Sequence, residues 1–157
     1  MNEEPFVQSV QIEPIRKQLK VSLSVAKAFE LFTAGIGKWW PLATHSVGEE
    51  QAATCFFEGW AGGRIIEVLK DGSQSEWGRV LIWEPPHKVS FHWYPGRMPD
   101  TAQEVTVTFR EIPTGSLVEL VHGGWESLGE RALARRDGYD TGWDYVLAKY
   151  IVEATNG

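Results

Sequence analysis

Cysteine is nearly absent from this 157-residue chain: Cys55 is the only one, and just two methionines accompany it. A single thiol excludes an internal disulfide and a thiolate cluster for metal. Long apolar runs are missing as well. No stretch approaches the roughly 18 residues of a membrane-crossing helix, and the start, MNEEPFVQSV, lacks the basic and apolar segments of a signal peptide. The expected address is the cytoplasm, without membrane insertion. Positive charge is also scarce: 15 Lys and Arg against 21 Asp and Glu leave a net charge of −6, which excludes a concentrated basic face for nucleic acid. Arg131, Arg135 and Arg136 in GERALARRDG come nearest, and their helical spacing reads as a solvated helix face. His45, His87, His92 and His122 fall at no metal-ligand spacing, so neither a metal nor another cofactor is expected.

What is present is aromatic surface. Hydrophobic residues make up 43% of the chain and charged ones 23%, a globular balance, but eight residues are Trp and 12% are aromatic. Such a surplus suits a small core with large plugs or an aromatic-lined cavity. The length fits one domain, expected over 15–157 behind a loose N-terminal arm, 1–14.

IRKQLKVSL alternates Ile15, Lys17, Leu19, Val21 and Leu23 against polar neighbours, with one break at Lys17, and predicts a half-buried strand. Ser24 is a natural N-cap for VAKAFELF, which sets Val25, Phe29 and Phe32 on one helical face and closes at Gly35. A second short turn carries Lys38, Trp39 and Trp40 and stops at Pro41. Residues 51–122 then read as strands separated by GG, DGSQ, PPH, GRMPDT and PTG turns; short turns imply antiparallel neighbours in one sheet. From about Ser127, Trp143, Leu147, Tyr150, Ile151 and Ala154 share one face of a long terminal helix. Gly138 and Gly142 within it predict a close approach to the sheet or a break between two helices.

A long antiparallel sheet covered by one C-terminal helix is an α+β arrangement. The succession VSLSVAKAFELFTAGIGKWWP, GWAGGRIIEV, EWGRVLIWEPPHKVSFHW, VTVTFREIPTGSLVELVHGGW and YDTGWDYVLAKYI resembles the SRPBCC superfamily, also called START-like or helix-grip. Within it, the chain looks most like the homologues of the activator of the heat-shock chaperone ATPase, over about residues 15–155. The resemblance implies an antiparallel sheet of about six or seven strands wrapped around the long C-terminal helix, with two short helices after the first strand. It also implies an apolar cavity between sheet and helix that takes small hydrophobic molecules, for binding in some members and for cyclase or hydrolase chemistry in others.

The candidate ligand contacts follow from that geometry. Of Trp39 and Trp40, one ring is expected in the core and the other, Trp40, at the cavity rim with His45, since adjacent helical side chains diverge by about 100°. Alternation in SLVELVH puts His122 on the face of Val118 and Leu120. Pointed inward, His122 is a base or a hydrogen-bond donor to ligand; the alternative is a core histidine satisfied by a backbone carbonyl. Trp77, Arg79, Leu81 and Trp83 are expected to share a face, on which Arg79 needs Glu67 or Glu119. Inside the cavity such a pair anchors a ligand carbonyl or carboxylate; outside it is a cross-strand salt bridge. Trp93, Trp125 at the cavity edge and Trp143 between helix and sheet complete the set.

Three functions are compatible with these residues: binding of a small hydrophobic or aromatic ligand; a cyclase, dehydratase or hydrolase with His122 as acid/base and Arg79 as oxyanion stabiliser; and a chaperone-associated interaction module. Edge strands leave room for a homodimer.

Overall fold

The computed structural model describes residues 12–97 and 102–156. The expected loose arm therefore falls almost wholly outside the described residues. Seven strands form one antiparallel sheet: β1 (Ile15–Val21), β2 (Ala52–Phe57), β3 (Arg64–Leu69), β4 (Gln74–Glu84), β5 (Lys88–Trp93), β6 (Gln103–Ile112) and β7 (Gly115–Gly123). Their order is β1-β7-β6-β5-β4-β3-β2, so β2 to β7 form an up-and-down series and β1 returns beside β7. The period-two pattern decides which face is buried. Val105, Val107 and Phe109 of β6 stand opposite His122, Leu120 and Val118 of β7, and all six are buried on the inner face.

Helix α1 (Val25–Phe32) starts at Ser24, whose hydroxyl accepts the Lys27 N–H at 3.3 Å. It buries Phe29 and Phe32 and ends three residues before Gly35, followed by a helical turn over Ile36–Lys38. After β7, Gly124 takes φ 81°, a left-handed conformation that lets the chain leave the sheet and enter the turn Trp125–Arg131. Helix α2 (Ala132–Asn156) then crosses the inner face and buries Trp143, Val146, Leu147, Tyr150 and Ala154. Ile151, expected on that stripe, is 38% exposed; Val146 takes its place. The Tyr150 hydroxyl donates to Ala28 O at 2.8 Å and ties α2 to α1. Lys17, the break in the β1 alternation, reaches Asp140 and Asp144 of α2 at 2.7 and 2.9 Å.

Two expectations for α2 are corrected. The helix runs unbroken through Gly138 and Gly142, and a Cβ added at either would meet nothing within 4 Å, so neither glycine serves close packing. Arg136 is only partly a solvated residue, since its guanidinium donates to Glu13 O and Pro14 O and holds the chain leading into β1.

The strand β4 departs most from simple alternation. Its pairing slips once against β3, beside Trp77, and once against β5, beside Leu81. Each slip inserts one residue and shifts the alternation by one. Trp77 and Trp83 consequently face the core, whereas Arg79 and Leu81 lie exposed on the outer face.

Candidate functional site

The two buried tryptophans of GKWWP pack in different directions. Trp39 packs against Phe32 and Tyr150 at ring distances of 5.3 and 5.1 Å and donates its indole N–H to Leu31 O at 2.8 Å. Trp40 turns the other way, onto Trp77, Trp93 and Trp143, and donates to His45 O at 2.7 Å. A buried ring of this kind removes about 150–250 Å² from water, worth roughly 4–6 kcal/mol by area.

These rings wall a cavity of about 400 Å³ between the sheet, α2 and the loop after Pro41. Trp40, Trp93 and Trp143 supply aromatic faces, Tyr139, Gly142 and Val146 come from α2, and Thr44, His45, Ser46 and Val47 form the rim. Gly142 contributes by having no side chain, which leaves space where the helix passes the cavity. A second apolar hollow of about 450 Å³ lies around Phe29, Phe57, Trp83, Pro85 and Pro86, but none of the buried unpartnered polar atoms among the described residues lines it.

The rim is fastened from two sides. Glu67 is fully buried and accepts the N–H groups of Val47 and Gly48, both at 2.8 Å, and the Trp77 indole N–H at 2.6 Å. A side chain on residue 48 would meet Leu69 Cδ2 at 2.0 Å and the Glu67 carboxylate at 3.0 Å, so the Leu69 side chain would have to turn aside to admit one. On the helix side His45 stacks on Tyr145 with ring centres 4.7 Å apart, and partial burial lowers its pKa. Cys55, opposite Glu67 in the sheet, is buried and pushed up to about 12 by that burial and then by Glu67, so it is no ready nucleophile.

His122 lies behind the aromatic wall and is fully buried. Its ring sits 4.2 Å from Trp125 and 5.1 Å from Tyr139, and its Nδ1 accepts the Trp143 indole N–H at 2.9 Å. Trp125 in turn donates its indole N–H to His122 O at 2.9 Å. Burial, and then the charge of Arg97, hold the imidazole down at about 3, so it is neutral at ordinary pH. The sequence alternative, an imidazole satisfied by a backbone carbonyl, is replaced by an indole partner.

Of the predicted contacts, Trp40, Trp93 and Trp143 line the cavity, and Trp77, Trp125 and His122 stand in the layer behind it. Glu67 is a fastening for the loop. Arg79 is corrected: it lies on the outer face, in register with exposed His92, and its guanidinium pairs with Glu76 at 3.1 Å rather than with Glu67 or Glu119. Glu119 accepts from Gln18. Tyr139, Val146 and Arg97 were missed. The helical stripe contained a signal for the first two; Arg97 follows a turn and reaches the site only through the fold.

An antiparallel sheet closed over one long helix, with an aromatic cavity between them, defines a helix-grip protein of the SRPBCC superfamily. Residues 22–154 match the model of the family described as Activator of Hsp90 ATPase homolog 1-like protein, and the chain belongs to that family. Among solved structures, an anthrahydroquino-γ-pyrone synthase, Txn09, complexed with SUM, is 34% identical over 83% of this chain and 88% of its own, with a TM-score of 0.58. The Aha1 dimer from Colwellia psychrerythraea is 17% identical, covers 89% of this chain and 94% of its own, and has a TM-score of 0.64. Protein BH1534 from Bacillus halodurans is 18% identical over 92% and 98%, with a TM-score of 0.60. The last two are similar in fold alone. No curated protein matches the chain in sequence. No helix among the described residues is long and apolar enough to cross a membrane, and no group of three or more His, Cys, Asp or Glu among them is placed to hold a metal.

Proposed function

We propose that this chain binds a small aromatic or hydrophobic ligand in the cavity between the sheet and α2. The observation that carries the reading is the cavity itself: about 400 Å³, within the range of small-molecule sites, walled by three indoles and a phenol with polar groups at its rim. Flat aromatic walls favour a flat ligand through offset and edge-on ring contacts. Thermal shift and tryptophan quenching with a panel of apolar ligands test the proposal, and native mass spectrometry of freshly purified protein tests it independently. A panel that leaves both stability and fluorescence unchanged removes it.

Turnover of such a ligand, by a cyclase, dehydratase or hydrolase reaction, is the second reading, supported by the 34% identity to a synthase. Arg79 has no part in it, because it faces away from the cavity. Self-association along the edge strands β1 and β2 is in keeping with the dimeric Aha1 relative. Light scattering that returns a monomer at all concentrations excludes it.

A further inference from the structure

Four buried side-chain polar atoms have no hydrogen-bond partner among the described residues: Ser90 Oγ, Trp93 Nε1, Arg97 Nη1 and His122 Nε2. Ser90 alternates with Val89 and Phe91 and turns to the outer face. The other three belong to one neighbourhood. Trp93 lines the cavity. Arg97 donates through Nη2 to Gln103 Oε1 at 3.2 Å and reaches the Tyr139 hydroxyl at 3.5 Å, and Tyr139 lines the cavity while packing edge-on against His122. Gln103 stands opposite Trp93 in the sheet, one step along the inner face from Val105, the partner of His122.

All three atoms are donors. Indole and guanidinium nitrogens cannot accept. The His122 ring is fixed by its neighbour: Nδ1 receives the Trp143 N–H, so it holds the lone pair and the proton of the neutral imidazole sits on Nε2. With its lone pair engaged, the ring has nothing left with which to act as a base toward a ligand. The set also carries a positive charge, and no carboxylate among the described residues pairs with Arg97. Unpaired buried donors retain their desolvation cost until an acceptor meets them.

We infer that Trp93 Nε1 on the cavity wall, with Arg97 Nη1 and His122 Nε2 one layer behind it on either side of Tyr139, form a donor set that an oxygen-bearing substituent of the ligand meets by reaching past Tyr139. The ligand is then an aromatic molecule bearing an anionic or strongly polarised oxygen, such as a carboxylate, phenolate, enolate or aryl ketone. The inference rests on the cavity being a ligand site and specifies the chemistry of its occupant. In a reaction, the same donors stabilise negative charge developing on a substrate oxygen, and a proton acceptor has to come from elsewhere.

Three probes of similar shape test it: naphthoate, acetylnaphthalene and isopropylnaphthalene, titrated into the full chain by calorimetry and tryptophan quenching. The expected result is that naphthoate binds at least about tenfold more tightly than isopropylnaphthalene, with acetylnaphthalene between them. Arg97→Met should cut the naphthoate advantage about tenfold while moving isopropylnaphthalene less than about twofold, and Trp93→Phe should reduce the acetylnaphthalene advantage with its aromatic wall retained. Equal binding of oxygenated and oxygen-free probes to the native chain overturns the donor set and leaves the cavity reading standing; it would mean that water alone serves these groups. An oxygen preference unchanged in both variants also overturns it. Failure of all three probes to bind overturns this inference and counts against the cavity reading as well.

Discussion

Replacing Gly142 separates the stability of α2 from the use of the space beside it. Glycine within a helix costs about 1 kcal/mol relative to alanine, and a Cβ built on Gly142 meets no atom within 4 Å. Gly142→Ala should therefore stabilise the chain by about 1 kcal/mol and raise the melting temperature by roughly 2–4 °C. Gly138→Ala is the control, since that position is equally open but does not line the cavity. Gly142→Leu retains good helix propensity and projects its side chain into the 400 Å³ space between Trp143, Val146 and Trp93. Circular dichroism melts should show all three variants at or above the native temperature. Acetylnaphthalene titrations should show Gly138→Ala unchanged and Gly142→Leu weakened by at least about tenfold. A Gly142→Ala variant that melts below the native chain would refute the reading of open space, and undiminished binding to a folded Gly142→Leu would place the ligand elsewhere.

Further tests address the surrounding parts. Glu67→Gln keeps one acceptor oxygen but sets an amide N–H₂ where the other carboxylate oxygen received an N–H, so urea denaturation should show a loss of about 2–3 kcal/mol, with faster hydrogen exchange at Val47 or Gly48; unchanged exchange at both would refute the fastening role. His122 titrates at about 3 in the folded chain and near ~6.5 when unfolded, so between those values the unfolded state binds the extra proton and stability falls as pH drops, by up to roughly 1.4 kcal/mol per pH unit. His122→Gln should lose that component of the pH dependence, and curves parallel to those of the native chain would contradict it. Arg79→Ala should cost less than about 1 kcal/mol and leave ligand affinity unchanged, because its ion pair with Glu76 is exposed on the far face; a tenfold affinity loss would reverse its exclusion.

Much of the fold was legible because its signals are local. Ser24 followed by Phe29 and Phe32 marks α1, the turn residues punctuate the sheet, and alternation in β7 puts His122 on the face of Val118 and Leu120, which the fold turns inward. The reading of β4 failed for an equally definite reason. A strict two-residue period groups Arg79 with Trp77 and Trp83, whereas two register shifts move the tryptophans to the core and leave Arg79 outside. In the isolated string QSEWGRVLIWE only Gly78, beside the first slip, carries a bulge signal, and the second slip depends on pairing with β5. Long-range contacts were opaque in the same way. Glu67 looks like half of an ion pair because it lies in an apolar strand, yet its partners are backbone amides 19 and 20 residues away. Arg97 becomes meaningful only when the loop after β5 lies beside Tyr139, 42 residues on. The helical turn expected to carry Lys38, Trp39 and Trp40 covers Ile36–Lys38 instead, so the divergence of the two rings comes from the chain leaving that turn at Trp39.

The proposed function places an aromatic ligand in the space lined by Trp40, Trp93 and Trp143. Its most direct test is a titration of ¹⁵N-indole-labelled protein with acetylnaphthalene, with each indole N–H assigned by single Trp→Phe variants. Saturable shifts are expected at Trp40, Trp93 and Trp143, with Trp60, 57% exposed outside the cavity lining, unmoved. Saturation that shifts Trp60 and leaves those three unchanged would contradict it.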